Sequence, residues 1–156
     1  MRIRRTAVLF LAVIACSTWA SAHVGAHPSV HDTVAGIVER LKQALSSEDL
    51  TKLTVPGVLE RLTPEERHIL GSEHVTFRVN VPVEVYVLRD VRLGEEPFWL
   101  QENGFVRTEL KAKVAGRDFD VWRKAFDAGV VGLGVNSLSG GGEHYIAALR
   151  PQSAGQ

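Results

Sequence analysis

The sequence predicts a mainly β domain, an antiparallel sandwich or barrel, preceded by a short α-helical segment. From residue 73 onward the hydrophobic residues alternate with a period of 2, and turn residues recur about every ten positions, as in antiparallel β domains. Before residue 73 the hydrophobic period is that of a helix. With 156 residues, 45% hydrophobic and 23% charged, the composition is that of a folded globular protein.

Charge and cysteine content exclude several classes of protein. Lysine plus arginine and aspartate plus glutamate number 18 each, which excludes a strongly basic nucleic-acid binder. The single cysteine, Cys16, excludes an intrachain disulfide and a cysteine-based zinc site.

Residues 1–22 have the three-part pattern of a secretory signal peptide. Basic residues near the N-terminus precede an apolar run, Ala7 to Ala15, and the segment ends in Ala20-Ser21-Ala22. We expect cleavage after Ala22, which would remove three arginines and no acid and leave a net charge of −3. The predicted location is therefore periplasmic or secreted.

A second processing route is open at Cys16. The stretch from Val13 to Cys16 resembles a bacterial lipobox, in which the cysteine is lipidated and becomes the new N-terminus. A lipid at Cys16 would tether the protein to a membrane. Without it no membrane contact is expected.

The pattern divides the remaining chain into a His-rich and helical segment (23–72), a β-sandwich domain (73–151) and a flexible tail (152–156). In the first helix Asp32 is the expected cap, and one face carries apolar residues at helical spacing: Val34, Ile37, Val38, Leu41 and Leu45. Thr63 and Glu66 predict a capping box that starts a second helix, which we expect Gly71 to end in a left-handed conformation.

The strand region begins with an unusually long alternating run. Its apolar members occupy consecutive odd positions: Val75, Phe77, Val79, Val81, Val83, Val85 and Val87. Pro82 lacks an amide hydrogen, so we expect the run to bend or split there. Further along, the pattern predicts a helical turn from Pro97 to Asn103, closed by Gly104, and a tight turn at Ala115-Gly116.

Two glycines mark a point of close approach. Gly132 and Gly134 alternate along one strand, which favours contact with another backbone or side chain, such as Trp122 or a partner domain.

The histidines offer a candidate metal site. After cleavage, His23 would supply an α-amine and an imidazole, and His27 and His31 would add two nitrogen donors of the kind that copper and zinc accept. The other interpretation is a soluble N-terminus whose histidines face water. Three more histidines (His68, His74 and His144) are isolated in sequence and are expected at the surface or an edge, although they could converge in space.

An aromatic group surrounds the predicted helical turn. Phe98, Trp99 and Phe105 could line a ligand groove or an interface, or they could plug one end of the sandwich. No nucleophile motif or phosphate-binding loop is present in the sequence, so we expect no enzymatic activity and no cofactor.

The stretch from Leu62 to Pro151 resembles the small N-terminal module of secreted bacterial metallophosphoesterases of the purple acid phosphatase type. The likeness lies in Leu62 to Glu66, in the strand FRVNVPVEVYVLRD (77–90), in Pro97 to Leu100 with Gly104-Phe105, in Val121-Trp122, in VGLGVN (131–136) and in His144-Tyr145. The resemblance implies an immunoglobulin-like or fibronectin type III-like sandwich that packs beside a catalytic domain. The metal-binding motifs of that catalytic domain are absent from this sequence, so no catalytic residue is carried over.

The function expected from the sequence is therefore that of an exported, non-catalytic interaction or accessory module. Its most plausible partner is a metallophosphoesterase or another extracytoplasmic protein, contacted through a sheet edge or the Phe98–Phe105 turn. Two alternatives stay open: an extracytoplasmic copper or zinc protein that uses His23, His27 and His31, and a carbohydrate- or cell-wall-binding sandwich that uses Trp99 and Tyr86.

Overall fold

A computed structural model of the chain describes residues 28–139 and 144–152. The predicted signal peptide, the possible lipobox, His23 and His27 lie outside the described residues. The helices are α1 (Val30–Ala44), α2 (Ser47–Thr51), α3 (Val55–Leu59), α4 (Pro64–Ser72) and α5 (Phe98–Glu102). The strands are β1 (Val75–Val79), β2 (Val83–Asp90), β3 (Val106–Val114), β4 (Arg117–Phe126), β5 (Gly129–Leu133) and β6 (Ile146–Pro151).

The strands form two antiparallel sheets, which confirms the predicted strand-rich class. One sheet has two strands, β1 and β5, and the other has four in the order β3-β4-β2-β6. The long alternating run splits at Pro82 as predicted, and its two halves enter different sheets. Pro82 has no amide hydrogen to give to a ladder, but its carbonyl oxygen accepts a hydrogen bond of 2.9 Å from the amide of Gln152.

The start and the buried face of α1 differ from the prediction. The cap is Ser29, and Asp32 is the third helical residue of a capping box: each side chain bonds the other residue's amide. Val34 and Val38 are 41% and 44% exposed. The buried stripe follows a four-residue step instead, through Thr33, Ile37 and Leu41. Here α4 packs against a narrow stripe of α1, so the apolar face predicted from the sequence is wider than the buried one.

The capping box at the start of α4 is confirmed, but its predicted end is wrong. Thr63 and Glu66 exchange both expected hydrogen bonds. The helix continues through Gly71 to Ser72, and Gly71 does not have a positive φ. A Cβ atom at Gly71 would lie 3.4 Å from Cβ of Trp99. Gly71 therefore lies against α5 and has room for an ordinary contact with it.

The main core lies between the two sheets and is closed by α5. Its buried members come from both sheets, from α5 and from the turn between α5 and β3: Val83, Val85, Val87, Trp99, Leu100, Phe105, Trp122, Val131 and Leu133. The Trp99 side chain is fully buried, and its indole N–H donates a hydrogen bond of 2.8 Å to the carbonyl oxygen of Val135. The Phe105 and Tyr145 rings meet the indole at 5.5 and 5.7 Å between centroids. A second core joins α1 to α4 through Ile37, Leu41 and Leu70.

The close approach predicted at Gly132, in β5, and at Gly134, directly after it, is confirmed. A Cβ atom at Gly134 would lie 2.5 Å from Cδ1 of Trp99 and 2.6 Å from the carbonyl oxygen of Leu70, and one at Gly132 would overlap the carbonyl oxygen of Ser72. The contacts come from α4 and Trp99 rather than from Trp122. The strand thus lies directly against helix backbone.

We predict that Gly134→Ala destabilises the protein by about 1–3 kcal/mol, because the added methyl group must displace helix backbone and a fully buried indole. Gly36→Ala is the matched control, since nothing lies within 4 Å of a Cβ there. In the interior of α1 that change should stabilise the protein by up to about 1 kcal/mol. Urea unfolding curves of both variants measure the two effects. Equal stability of the two variants would contradict the packing described here.

Candidate interaction surface

The four-stranded sheet has two faces with different surroundings. Its inner face, which carries Val83, Val85 and Val87, contributes to the main core. Its outer face carries the alternate residues, and the register places Leu88 opposite Val121 on neighbouring strands. The outer face is the one that bears these two residues and their same-side neighbours.

The outer face has an apolar cluster of its own. Leu88, Phe119 and Val121 are buried, and the partly buried apolar side chains that pack against them are Tyr86, Ala112, Val114 and Ile146. All seven belong to the four-stranded sheet. Among the described residues, therefore, no apolar side chain from a helix or from the second sheet joins this cluster.

The neighbouring β3 strand adds exposed apolar side chains. Val106 is 62% exposed and Leu110 is 57% exposed. The strand is the outermost of its sheet and pairs only with β4 in the described part of the chain. A bulge interrupts that pairing between Arg107 and Lys111. Bulges and charged residues on an edge strand discourage uncontrolled strand addition.

Arginine side chains surround one side of the outer face and are tied to a single carboxylate. Glu84 accepts a hydrogen bond of 2.7 Å from the Tyr86 hydroxyl and forms ion pairs with Arg123, at 3.4 Å, and with Arg150. The Arg150 guanidinium also lies over the Tyr86 ring, 5.8 Å from its centroid. The Tyr86 hydrogen bond and the Arg150 pair lower the pKa of Glu84. The carboxylate therefore stays ionised and holds both arginines in place.

A second acid on this side is held by another arginine. Asp90 is buried, and Arg92 donates to its carboxylate through both the backbone amide, at 2.9 Å, and the guanidinium. These bonds lower the pKa of Asp90 to about 2. Both acids are partly or fully buried and the guanidinium groups are at least half exposed, so the cationic groups lie nearer to solvent than the acids do.

A buried aspartate on the inner side ties β3 to β4 across the bulge. Asp120 is 4% exposed and accepts ion pairs from Lys111 and Arg107 of β3, while the Arg89 guanidinium lies 3.6 Å away. The lysine hydrogen bond is the largest of the effects that lower the pKa of Asp120. Arg89 in turn donates to the carbonyl oxygens of Leu93 and Glu95. This cluster holds the edge strand and the loop before α5 in place.

The aromatic residues predicted as a possible groove or interface are placed in the core. Trp99 and Phe105 are 0% and 4% exposed, so neither can contact a partner at the surface in this conformation. Phe98 is partly buried and lies beneath the Arg67 guanidinium, 5.5 Å from its carbon. Of the two predicted roles, the structure therefore supports the second: these aromatic residues close one end of the main core and do not line a groove.

The burial of Trp99 also removes the main residue expected to bind a carbohydrate. A sugar stacks on an exposed aromatic ring, and the Trp99 ring is enclosed on all sides. Tyr86 is half-buried, and Arg150 lies over its ring.

The structure brings together only some of the candidate metal ligands. His31 is exposed on α1, and its two predicted companions lie outside the described residues. Within residues 28–139 and 144–152, no three side chains of the metal-binding types are grouped closely enough to hold an ion. His68 lies 3.7 Å from Glu73. His74 and His144, which are isolated in sequence, lie together with ring centroids 5.9 Å apart.

Sequence reasoning missed the outer face, and it left open that the isolated histidines could converge, which His74 and His144 do. Leu88 and Val121 read as ordinary strand residues, and only the sheet order shows that their face is separate from the main core. A usable signal was present in β2, where apolar residues occupy both registers from Val85 to Leu88. Such a run indicates a strand that is buried on both faces.

Comparisons with known proteins add no relative. No family model, no curated protein and no solved structure matches this chain. The resemblance to the metallophosphoesterase module therefore stays a prediction. In the described part of the chain, no helix is both long and apolar enough to cross a membrane.

We predict that Asp120→Asn destabilises the protein by about 1–3 kcal/mol, because it leaves the buried Arg89 without its counter-charge. Asp118→Asn is the control: this neighbour on β4 pairs with Lys113 at 3.4 Å, and its side chain is 65% exposed. An exposed pair of that kind contributes less than about 1 kcal/mol. Thermal or urea unfolding distinguishes the two. A loss no larger than that of Asp118→Asn would show that the buried cluster does not anchor β3.

A second prediction concerns pH. Partial burial and the neighbouring His144 ring lower the pKa of His74 below its ordinary 6.5. In the unfolded chain His74 therefore binds a proton near pH 6.5, whereas in the folded chain it binds one only at a lower pH. Stability should accordingly fall as the pH drops below about 6.5, down to the lowered pKa of the folded state.

Unfolding free energies measured from about pH 7.5 to about pH 5.5 test this, since histidine is the side chain that ordinarily titrates there. His74→Gln should flatten the dependence, and His68→Gln, at a side chain that is 70% exposed, is the control. An unchanged slope in His74→Gln would contradict the prediction.

Proposed function

We propose that this chain is an exported, non-catalytic interaction module that binds an acidic protein surface through its outer face. The observation that carries the proposal is the apolar cluster of Leu88, Phe119 and Val121, bordered by exposed apolar residues of β3 and by arginines. The proposal includes an immunoglobulin-like or fibronectin type III-like sandwich, supported by two antiparallel sheets that share a core.

The chemistry of the outer face suits a protein partner. Interfaces are enriched in tyrosine and arginine relative to the rest of a protein surface, and their centres are apolar. Tyr86, Arg123 and Arg150 provide that combination beside the apolar cluster. Val106 and Leu110 are large apolar side chains that remain mostly exposed in the isolated chain, and a partner would bury them.

The charge of the face favours an acidic partner. Glu84 and Asp90 are less than one-fifth exposed, whereas Arg92, Arg123 and Arg150 are each more than half exposed. Binding should therefore weaken as salt is added, since exposed charges are screened beyond roughly 8–10 Å at physiological salt.

The resemblance to the metallophosphoesterase module indicates which kind of partner to expect. In that family the sandwich packs beside a catalytic domain. A surface built for a protein contact, on a chain without the catalytic motifs, is consistent with an accessory role beside such an enzyme. The signal-peptide pattern would bring both proteins to the same side of the membrane.

Site-specific photo-crosslinking in exporting cells tests the proposal. A photoreactive residue at position 110 should crosslink to one acidic extracytoplasmic protein, identified by mass spectrometry. The same residue at position 130 is the matched control, because Val130 is 63% exposed but belongs to the other sheet. Leu110→Asp should abolish binding of the identified partner and leave the melting temperature nearly unchanged. Val130→Asp should change neither.

Two results would contradict the proposal. One is crosslinking that is equal at positions 110 and 130, or absent at both. The other is turnover of a phosphoester by the purified protein alone, because a non-catalytic module has no such activity.

A further inference from the structure

An irregularity in the edge strand brings two cationic side chains to the same carboxylate. Arg107 and Lys111 are four residues apart on β3, which in a regular strand would separate them by about 13 Å. Their partners on β4, Trp122 and Asp120, are only two residues apart, because the bulge takes up the extra length of β3. Arg107 and Lys111 therefore both reach Asp120, at Oδ2 and Oδ1 respectively.

A third cation lies at the same carboxylate. The Arg89 guanidinium is 3.6 Å from Oδ2 of Asp120, the oxygen that also accepts from Arg107. The Arg89 side chain is 10% exposed and is fixed in place, because it donates to the carbonyl oxygens of Leu93 and Glu95. One cation would neutralise Asp120, so three cations around one carboxylate leave a local excess of two positive charges.

The nearest acids in sequence do not cancel this excess by direct contact. Asp118 pairs with Lys113 at 3.4 Å, and the Glu95 carboxylate accepts a hydrogen bond of 3.3 Å from the Ser137 hydroxyl. Glu109 lies in the bulge itself, and within residues 28–139 and 144–152 its carboxylate forms no ion pair. The positive charge at the bulge is therefore left for a ligand to neutralise.

Donor groups of Arg107 and Lys111 are available to such a ligand. Their side chains are 52% and 63% exposed. In the described part of the chain each side chain makes one hydrogen bond, to Asp120, although a guanidinium carries five N–H groups and an ammonium carries three. The lysine hydrogen bond and the neighbouring arginine lower the pKa of Asp120, so the carboxylate stays ionised and holds both cations in position.

We propose that this cluster binds a phosphate group, carried either by a small soluble ester or by a lipid headgroup. A phosphate monoester has a charge of about −1.5 to −2 at pH 7, which matches the excess of two positive charges. A guanidinium binds phosphate oxygens through paired N–H groups, and a lysine ammonium adds a point charge. Binding also relieves the repulsion among three cations held around one carboxylate.

The site lies on the opposite side of the sheet from the outer face. In the strand register Asp120 is opposite both Lys111 and Arg89. These positions alternate with those of Leu88 and Val121, and successive strand residues point to opposite faces. The inference is therefore independent of the proposed interaction function, and each can fail without the other.

Isothermal titration calorimetry of the purified protein with inorganic phosphate at neutral pH tests the site. One phosphate should bind per chain, and added salt should weaken the binding. Lys111→Gln and Arg107→Gln should each weaken it about tenfold, since each removes a positive charge and a charge-assisted hydrogen bond. Lys113→Gln is the matched control: this lysine lies on the same strand and is 66% exposed, but it pairs with Asp118, so the affinity should change less than about twofold.

Vesicles distinguish the two sources of the phosphate group. The protein is sedimented with phosphatidylcholine vesicles that either contain or lack phosphatidic acid. Retention that requires phosphatidic acid and is lost in Lys111→Gln, but not in Lys113→Gln, assigns a lipid headgroup. Binding of inorganic phosphate without retention on either vesicle assigns a soluble ester.

Three results would overturn the inference: no saturable binding of inorganic phosphate, an equal loss of affinity in Lys113→Gln and Lys111→Gln, or an unchanged affinity in both Lys111→Gln and Arg107→Gln. Circular dichroism shows whether each variant is folded. If Arg107→Gln does not fold, Arg107→Lys replaces it. That variant keeps the positive charge and should still weaken binding, because lysine cannot donate two parallel N–H groups.

Discussion

The rest of the structure depends on the burial of the Trp99 indole. Its N–H bonds to the carbonyl oxygen of Val135, and its ring occupies space that a side chain at position 134 would enter. The same contact joins α4, α5 and β5, and the Phe105 and Tyr145 rings close around it. The described residues contain no disulfide, and the helical segment is connected to the sheets through this enclosed side chain and the glycine beside it.

The two faces of the four-stranded sheet show how the charges are separated. The acids have short side chains and are buried, whereas the longer cationic side chains that pair with them extend into solvent. Lys111 and Arg107 do so at Asp120. Arginine and lysine can bury their aliphatic stems while the charged end stays in water, whereas aspartate cannot. A formally neutral sequence therefore folds into a surface with a positive side. That side suits an acidic partner more than the net charge suggests.

Local signals predicted local structure well. The Thr63–Glu66 capping box, the split at Pro82 and the turn at Ala115-Gly116 all depend on residues within a few positions of one another, and all are observed. The features that the sequence did not predict depend on contacts between distant segments. In the sequence Gly71 is typical of a helix end, and only the structure shows that it lies inside α4, next to Trp99. Val34 fits the predicted apolar face of α1, and only the packing of α4 on α1 shows that it is exposed. The candidate sites behave in the same way. The residues of the outer face are each ordinary in sequence, and only the sheet order shows that they lie together.

The split at Pro82 also constrains how this chain can change in length. Odd-numbered residues face the shared core on both sides of the bend: Phe77 and Val79 before it, Val83 and Val85 after it. One inserted residue that shifted β2 along its partners would turn Glu84 and Tyr86 inward and expose the core valines, because successive strand residues point to opposite faces. Residues 80–82 must therefore absorb any insertion or deletion by themselves. The length of this short bend therefore decides which residues of β1 and β2 face the shared core.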